Sequence, residues 1–341
     1  MLLRKSQLLM QHNYLDGEIQ LTTATFYTPV QNSILEVESK MLEASNGHHP
    51  DLGAALTHLL SSGGKRVRPA VALLTGAMLG ADQEKIISLA ASIELLHTAT
   101  LVHDDLIDGA FLRRGIPTLN AEWTPGATVL TGDFIFACAA KLAAQIESVE
   151  LMYQFAETLA TIVNGEITQM FSRNTGYDYD EYLNRIYAKT GSLFVLATIA
   201  PAILSPLRES TYEAANEFGY GIGMAFQIID DVLDFTGNQS SVGKPVANDL
   251  RQGLITLPAI YYREINPNDP NLEGILNGKN IGEEGLNQLV KAIQTSGAIE
   301  RSVNQARIFS DQALNALETL PLTPEHEALE SLSKYVVDRH L

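Results

Sequence analysis

The chain has 341 residues, of which 45% are hydrophobic and 18% charged. That composition is globular rather than disordered, and the length is enough to bury a substantial core. The formal charge of −17 argues against non-specific binding to nucleic acid or anionic lipid, because both require a cationic surface. The single cysteine, Cys138, excludes an intrachain disulfide. Within Phe136-Ala137-Cys138-Ala139-Ala140 it reads as a small buried hydrophobe. A cytoplasmic location is expected from this cysteine usage. No segment reaches about 18 uninterrupted apolar residues, so no transmembrane segment is expected. The run 193–204 comes closest, and Thr198 and Pro201 interrupt it.

Taken in chain order, residues 1–28 begin with Arg4 and Lys5, then Leu8, Leu9 and Met10. Gln11, His12 and Asn13 end that run before it becomes a signal-peptide core. A poorly ordered extension is expected there, followed by a single domain over 29–341. Helical periodicity then dominates. It predicts helices over 30–42, 52–60 and 67–79, the last with Pro69 in its first turn. A long helix free of Gly and Pro follows over 82–108, then others over 125–146, 149–171, 180–203 and 210–235. Shorter helices are predicted over 247–264, 282–295, 298–319 and 323–340. Breakers separate them at Gly63-Gly64, 115–117, 237–245 and 266–282. There is no hairpin signal and no short repeat. The predicted fold class is all-α, a single-domain helical bundle with one continuous core. Gly219, Gly221 and Gly223 fall in helical context and read as close helix packing.

The predicted helix ending at 108 carries Asp104, Asp105 and Asp108, spaced i, i+1 and i+4. Asp104 and Asp108 lie one above the other, with Asp105 about 100° round. Three like charges in an apolar helix raise the folding cost, so an added cation is the natural explanation. The same spacing recurs at Asp230, Asp231 and Asp234, again behind an apolar approach. Hard oxygen ligands suit Mg²⁺, which shares carboxylates with substrate phosphates. No Cys/His zinc spacing competes.

The cations are few and locally grouped: Lys65, Arg66 and Arg68 on a Gly-Gly loop, Arg113-Arg114 just beyond Asp108, Lys189-Thr190, and Lys244. Arg binds phosphate oxygens as a fork and Lys as a point charge. Each group alone is also compatible with a turn or a helix end. Beside two metal-ready clusters they point to polyanionic substrates.

The chain resembles the trans-isoprenyl diphosphate synthases, or polyprenyl synthetases, of the medium- to long-chain type. The resemblance runs from about residue 30 to the C-terminus and rests on motifs in the family's order. They are Gly63-Gly64-Lys65-Arg66-Val67-Arg68-Pro69, the stretch from His97 to Asp108, Leu112-Arg113-Arg114-Gly115, Lys189-Thr190-Gly191-Ser192-Leu193-Phe194, the stretch from Phe226 to Phe235, and Gly243-Lys244-Pro245.

The resemblance implies an isoprenoid-synthase bundle around a central cavity, a homodimer, and about three Mg²⁺ per active site. It implies that Asp104, Asp105, Asp108, Asp230, Asp231 and Asp234 hold the metal. Arg113, Lys189, Thr190, Gln227 and Lys244 would bind the allylic diphosphate. Lys65, Arg68, His97 and Arg114 would bind isopentenyl diphosphate. The implied reaction is head-to-tail prenyl transfer through an allylic cation, with water excluded. No side-chain nucleophile is required.

One departure is Leu254, after Asp249-Leu250-Arg251-Gln252-Gly253, where many relatives carry Lys. Leu96 lies two turns up the helix from the first aspartate, and Thr100 and Ala99 lie four and five positions before it, where short-chain relatives often carry aromatics. Small side chains there imply a deeper pocket and a product of hexaprenyl length or longer, one that engages membranes downstream. The competing expectations are a shorter-chain synthase, a non-catalytic partner subunit, and a His-Asp metal phosphohydrolase drawing on His97 and His103.

Overall fold

The computed structural model describes residues 25–61, 63–113, 115–171, 178–236 and 246–339. A 3₁₀ turn, Thr25–Val30, leads into α1 (Gln31–Glu43), α2 (Pro50–Ser61), α3 (Val67–Met78) and α4 (Gln83–Ile107). Two two-residue strands, β1 (Leu112–Arg113) and β2 (Ile116–Pro117), pair antiparallel. Then come α5 (Leu119–Glu122), α6 (Pro125–Ala144), α7 (Val149–Phe171), α8 (Tyr179–Ile186), a π turn (Tyr187–Gly191), α9 (Ser192–Leu204) and α10 (Arg208–Thr236). The chain closes with α11 (Asn248–Arg251), α12 (Leu257–Ile265), α13 (Pro270–Leu276), α14 (Gly282–Thr295), α15 (Ala298–Leu317) and α16 (Pro324–Asp338).

The all-α reading holds, with local corrections. Gly115 takes φ 78° and reverses the chain between β1 and β2, so a short hairpin stands where none was expected. Arg113 therefore lies on a strand, not at the end of the aspartate helix. The predicted helix 180–203 is divided by the π turn. The predicted helix 247–264 breaks at Gly253, which adopts φ 79°. Asp269 accepts from the backbone N–H groups of Asn271 and Leu272 and caps α13 inside a stretch read as loop. Phe26 and Tyr27 are buried, so the extension expected to residue 28 yields to folded chain at 25. The rest of that expectation lies outside the described residues.

Helix α4 sits at the centre. It packs against α3 and α6, while α9 packs against α3 and α10, and α10 against α15. Its run from Ile86 to Leu96 is buried on nearly every side, as a helix apolar all round must be. Gly219 and Gly223 let α10 approach α9. A Cβ at Gly219 would meet Thr198 Oγ1 at 2.2 Å, and one at Gly223 would meet the Gly191 Cα at 2.9 Å. Gly221 points the other way, toward the Phe309 carbonyl on α15. Cys138 is buried, as expected, and burial raises its thiol pKa.

By length and composition alone, three helical stretches among the described residues could cross a membrane: α4, α6 and the continuous helix Tyr179–Leu204. The expectation of none counted unbroken apolar runs, whereas mean hydropathy tolerates interspersed Ser and Thr. The most apolar windows of α4 and Tyr179–Leu204 are 78% and 89% buried inside the protein, which makes them core helices. The α6 window is only 44% buried. Its exposed face carries Val129 and Leu130.

Candidate active site

The π turn brings the two aspartate helices into one site. Single π turns recur at functional sites because they shift the side-chain register within a helix. Here the turn sends Lys189 and Thr190 to different helices. Lys189 Nζ lies 3.5 Å from Asp104 Oδ2 on α4 and 2.8 Å from Glu166 Oε1 on α7. Thr190 Oγ1 donates to Gln227 Oε1 at 2.6 Å, and Gln227 Nε2 donates to Asp231 Oδ1 at 2.8 Å on α10. A chain of polar contacts thus runs from the first aspartate cluster to the second.

Within each cluster the aspartates differ. Asp105 is buried and accepts both Arg113 Nε at 2.9 Å and Arg113 Nη2 at 2.8 Å. Asp231 is buried and accepts from Gln227 and from the Tyr182 hydroxyl at 2.7 Å. Asp234 accepts the backbone N–H groups of Asn248 and Asp249, each at 3.1 Å, and so anchors α11. These three are committed to protein donors. Asp108 and Asp230 are the more exposed members, while Asp104 is mostly buried and paired with Lys189. Asp108 caps the end of α4 and is exposed. Asp230 is 42% exposed, with Oδ1 2.9 Å from Arg339 Nη2.

The electrostatics follow this division. Burial pushes the Asp104 carboxyl up to about 6, with Glu166 and Asp108 adding to the shift and Lys189 opposing it. Burial opposes the charge on Lys189, but Asp104 and Glu166 outweigh it and raise its pKa. Asp231 is pushed up to about 8, first by burial and then by Asp249, against the hydrogen bonds from Gln227 and Tyr182. Among the described residues, no group of three His, Cys, Asp or Glu side chains already converges as a metal site. The donor set nevertheless fits Mg²⁺. That ion takes one or two carboxylates and completes its shell with water and substrate phosphate. Its charge would also relieve the crowding around Asp104.

The other described candidates lie on the loop before α3, in the first turn of α3 and on α4. Arg68 lies with its guanidinium 5.0 Å from the Phe194 ring centroid and 5.9 Å from that of Phe226. Lys65 is exposed on its loop, and its carbonyl accepts the Tyr27 hydroxyl. His97 is half-buried on α4. Higher on α4, Leu96 and Ala99 are fully buried and Thr100 is partly so. Arg114 and Lys244 lie outside the described residues. Leu254 donates its N–H to the Asp249 carbonyl, closing the turn after α11.

Sequence reasoning missed Glu166, Tyr182 and Arg339. Arg339 is almost fully buried, donates to the Phe226 carbonyl at 2.6 Å, and stacks 3.9 Å from the Phe226 ring centroid. Glu166 and Arg339 belong to none of the motifs, and Tyr182 is an uncharged residue beside Asp180 and Glu181.

Fold and site together define an all-α protein in which two aspartate-bearing helices are joined through a Lys-Thr turn. The polyprenyl synthetase family model matches residues 49–293. Component 2 of heptaprenyl diphosphate synthase from Bacillus subtilis is 35% identical over 314 residues, covering 92% of this chain and 90% of that protein. Octaprenyl diphosphate synthase from Haemophilus influenzae is 34% identical, covering 89% of this chain and 93% of the relative. A crystal structure of a polyprenyl synthase from Caulobacter crescentus, complexed with calcium and isoprenyl diphosphate, superimposes with TM-score 0.87 at 31% identity. That match covers 93% of this chain and 97% of that one. A decaprenyl diphosphate synthase from Rhodobacter capsulatus gives TM-score 0.86 at 30% identity, covering 93% and 98%. The chain belongs to the polyprenyl synthetase family.

Proposed function

We propose that this protein is a trans-prenyltransferase that condenses isopentenyl diphosphate with an allylic diphosphate, head to tail, and builds a long polyprenyl diphosphate. The observation that carries this reading is the bridge from Asp104 through Lys189 and Thr190 to Gln227 and Asp231. It gathers carboxylates and cations at one end of an otherwise apolar bundle. Asp104, Asp108 and Asp230 are the residues assigned to hold Mg²⁺. When bound, Mg²⁺ neutralises the departing diphosphate. Asp105, Asp231 and Asp234 hold Arg113, Gln227 and α11 in place.

The protein's own part is to position and to exclude water. Lys189 and Arg113 supply fixed positive charge where the allylic diphosphate leaves, and Thr190 and Gln227 orient it. Lys65, Arg68 and His97 hold the diphosphate of isopentenyl diphosphate. The alkene attacks the allylic carbon and a proton is then lost, for which the released diphosphate is the base. The buried helices around the site keep water from quenching the cation. The growing tail runs up α4 past Thr100, Ala99 and Leu96.

A homodimer is part of this reading. Leu130 on α6 and Tyr153, Val163, Ile167 and Phe171 on α7 are exposed apolar residues on consecutive helices, and a patch of that kind marks an interface. A heteromer is the second reading, because the Bacillus subtilis relative is described as one component of its synthase.

The test is to incubate the purified protein with isopentenyl diphosphate, farnesyl diphosphate and Mg²⁺ and follow diphosphate release. Release that requires both substrates and stops with EDTA supports the reading. Release of inorganic phosphate from simple esters instead would replace it with a phosphohydrolase.

A further inference from the structure

Arg66 is the one cation of the Gly-Gly-Lys-Arg-Val-Arg loop left without a part in the reaction, and its geometry is the most constrained in that loop. Its backbone sits at φ 49°, ψ 35°, the left-handed region that side-chain-bearing residues avoid. Gly63 and Gly64 stand just before it, so a loop requiring only a turn would place glycine at 66 as well. Its guanidinium is buried, and all three nitrogens are used. Nε donates to Glu38 Oε1 at 2.9 Å on α1. Nη1 donates to Glu94 Oε1 at 3.0 Å on α4. Nη2 donates to the Leu60 carbonyl at 3.3 Å in α2. Arg66 is 8% exposed and Glu94 7%. Burial works against the arginine's charge, and Glu94 and Glu38 more than offset it, raising its pKa.

The position of this cluster matters more than its strength. Lys65 precedes Arg66 directly, and Arg68 follows two residues on, in the first turn of α3. Arg66 caps that turn, its carbonyl accepting the Ala70 N–H at 3.0 Å. Glu94 lies three residues before His97, about one turn away on the same face of α4. One buried ionic cluster therefore fixes the backbone of Lys65 and Arg68 relative to the helix that carries His97. Its bonds run to α1, α2 and α4, whereas Arg113, Lys189, Thr190 and Gln227 lie on other elements.

We propose that Arg66, clamped by Glu94 and Glu38, is a positioning residue for the isopentenyl diphosphate half of the site and leaves the allylic half untouched. This rests on the assignment of Lys65, Arg68 and His97 to isopentenyl diphosphate.

The experiment measures KM separately for isopentenyl and farnesyl diphosphate in the full-length enzyme, with Mg²⁺. The variants are Arg66→Lys, Glu94→Gln and Glu38→Gln, with Lys65→Ala as the test of the underlying assignment. Thermal melts accompany each. The expected result is that Arg66→Lys and Glu94→Gln raise KM for isopentenyl diphosphate about tenfold or more, since displacing a binding group by about an ångström is costly. KM for farnesyl diphosphate stays within about twofold. Glu38→Gln, which removes the more exposed partner, moves in the same direction by less and keeps the proposal testable if the other two do not fold.

If Lys65→Ala raises the isopentenyl diphosphate KM while the clamp variants leave it unchanged, the proposal fails and the assignment stands. If Lys65→Ala has no effect, both fail. Equal shifts in the two KM values, or unfolding of every clamp variant, would make the cluster a stability element and overturn the proposal.

Discussion

A carboxylate sealed inside a protein keeps its proton to higher pH, and Asp231 is sealed. Its folded pKa of about 8 lies above the ordinary 3.8. The folded state therefore binds a proton more tightly than the unfolded chain between those values. Stability from this group is full below about pH 4 and is lost as pH rises toward 8. Asp231→Asn copies the protonated form. The thermal midpoint of the metal-free variant is expected to fall less than that of the wild type between pH 5 and 8, by differential scanning calorimetry. A steeper fall in the variant would contradict the burial argument. Lys189 lies between Asp104 and Glu166, and its replacement by Ala would leave two crowded carboxylates without their shared cation. A loss of about 10²-fold or more in kcat is expected, the usual cost of removing one preorganised charge-stabilising group. Single-turnover kinetics would measure it at the chemical step. The aspartate spacing was legible in the sequence because a helix repeats every 3.6 residues. Which aspartates turn inward was not, because the stretch of α10 leading into the cluster is apolar almost all round and names no single core face.

At the scale of elements, the contacts that make the site are backbone approaches. Gly223 faces the Gly191 Cα, and an added methyl there would sit 2.9 Å from it and from the Phe194 Cβ. Gly223→Ala is expected to cost about 1–3 kcal/mol through overpacking, read as a lowered denaturant midpoint. It should also lower activity, because the same contact seats the π turn. The three spaced glycines announced close packing in the sequence. The π turn itself was invisible, since Tyr-Ala-Lys-Thr-Gly carries no helix-breaking residue before its end, and tertiary contact rather than propensity selects that register. The upper part of α4 sets product length in this account. Ala99→Phe places an aromatic ring on the path of the tail, one turn and a little more above Asp104. Its products are expected to shorten relative to wild type, by mass spectrometry of the dephosphorylated alcohols. Unchanged length would remove Ala99 from the tail's path.

For the whole molecule, the fold class followed from helical periodicity sustained over most of the chain. The hairpin at Gly115 and the cap at Asp269 did not, because each rests on a single turn residue with no period to reveal it. The arginine at 339 reaches Asp230 only once α16 has folded across the bundle, a juxtaposition that no local pattern encodes. Net charge also reads differently in three dimensions. The chain is strongly acidic, yet Lys189 and Arg113 are held against the first aspartate cluster, so the site can take a small polyanion that the protein's overall field disfavours. Leu130 and Phe171 are 67% and 82% exposed, and a second copy of the chain would cover them. The wild type is expected to sediment as a dimer in sedimentation velocity, and Leu130→Glu combined with Ile167→Glu as a monomer. The central claim is that this site extends an allylic diphosphate to great length. Product analysis after incubation with farnesyl diphosphate, excess isopentenyl diphosphate and Mg²⁺ tests it most directly. The account predicts all-trans polyprenyl diphosphates of hexaprenyl length or longer, abolished by EDTA. Recovery of unextended farnesyl diphosphate in the presence of Mg²⁺ would contradict it.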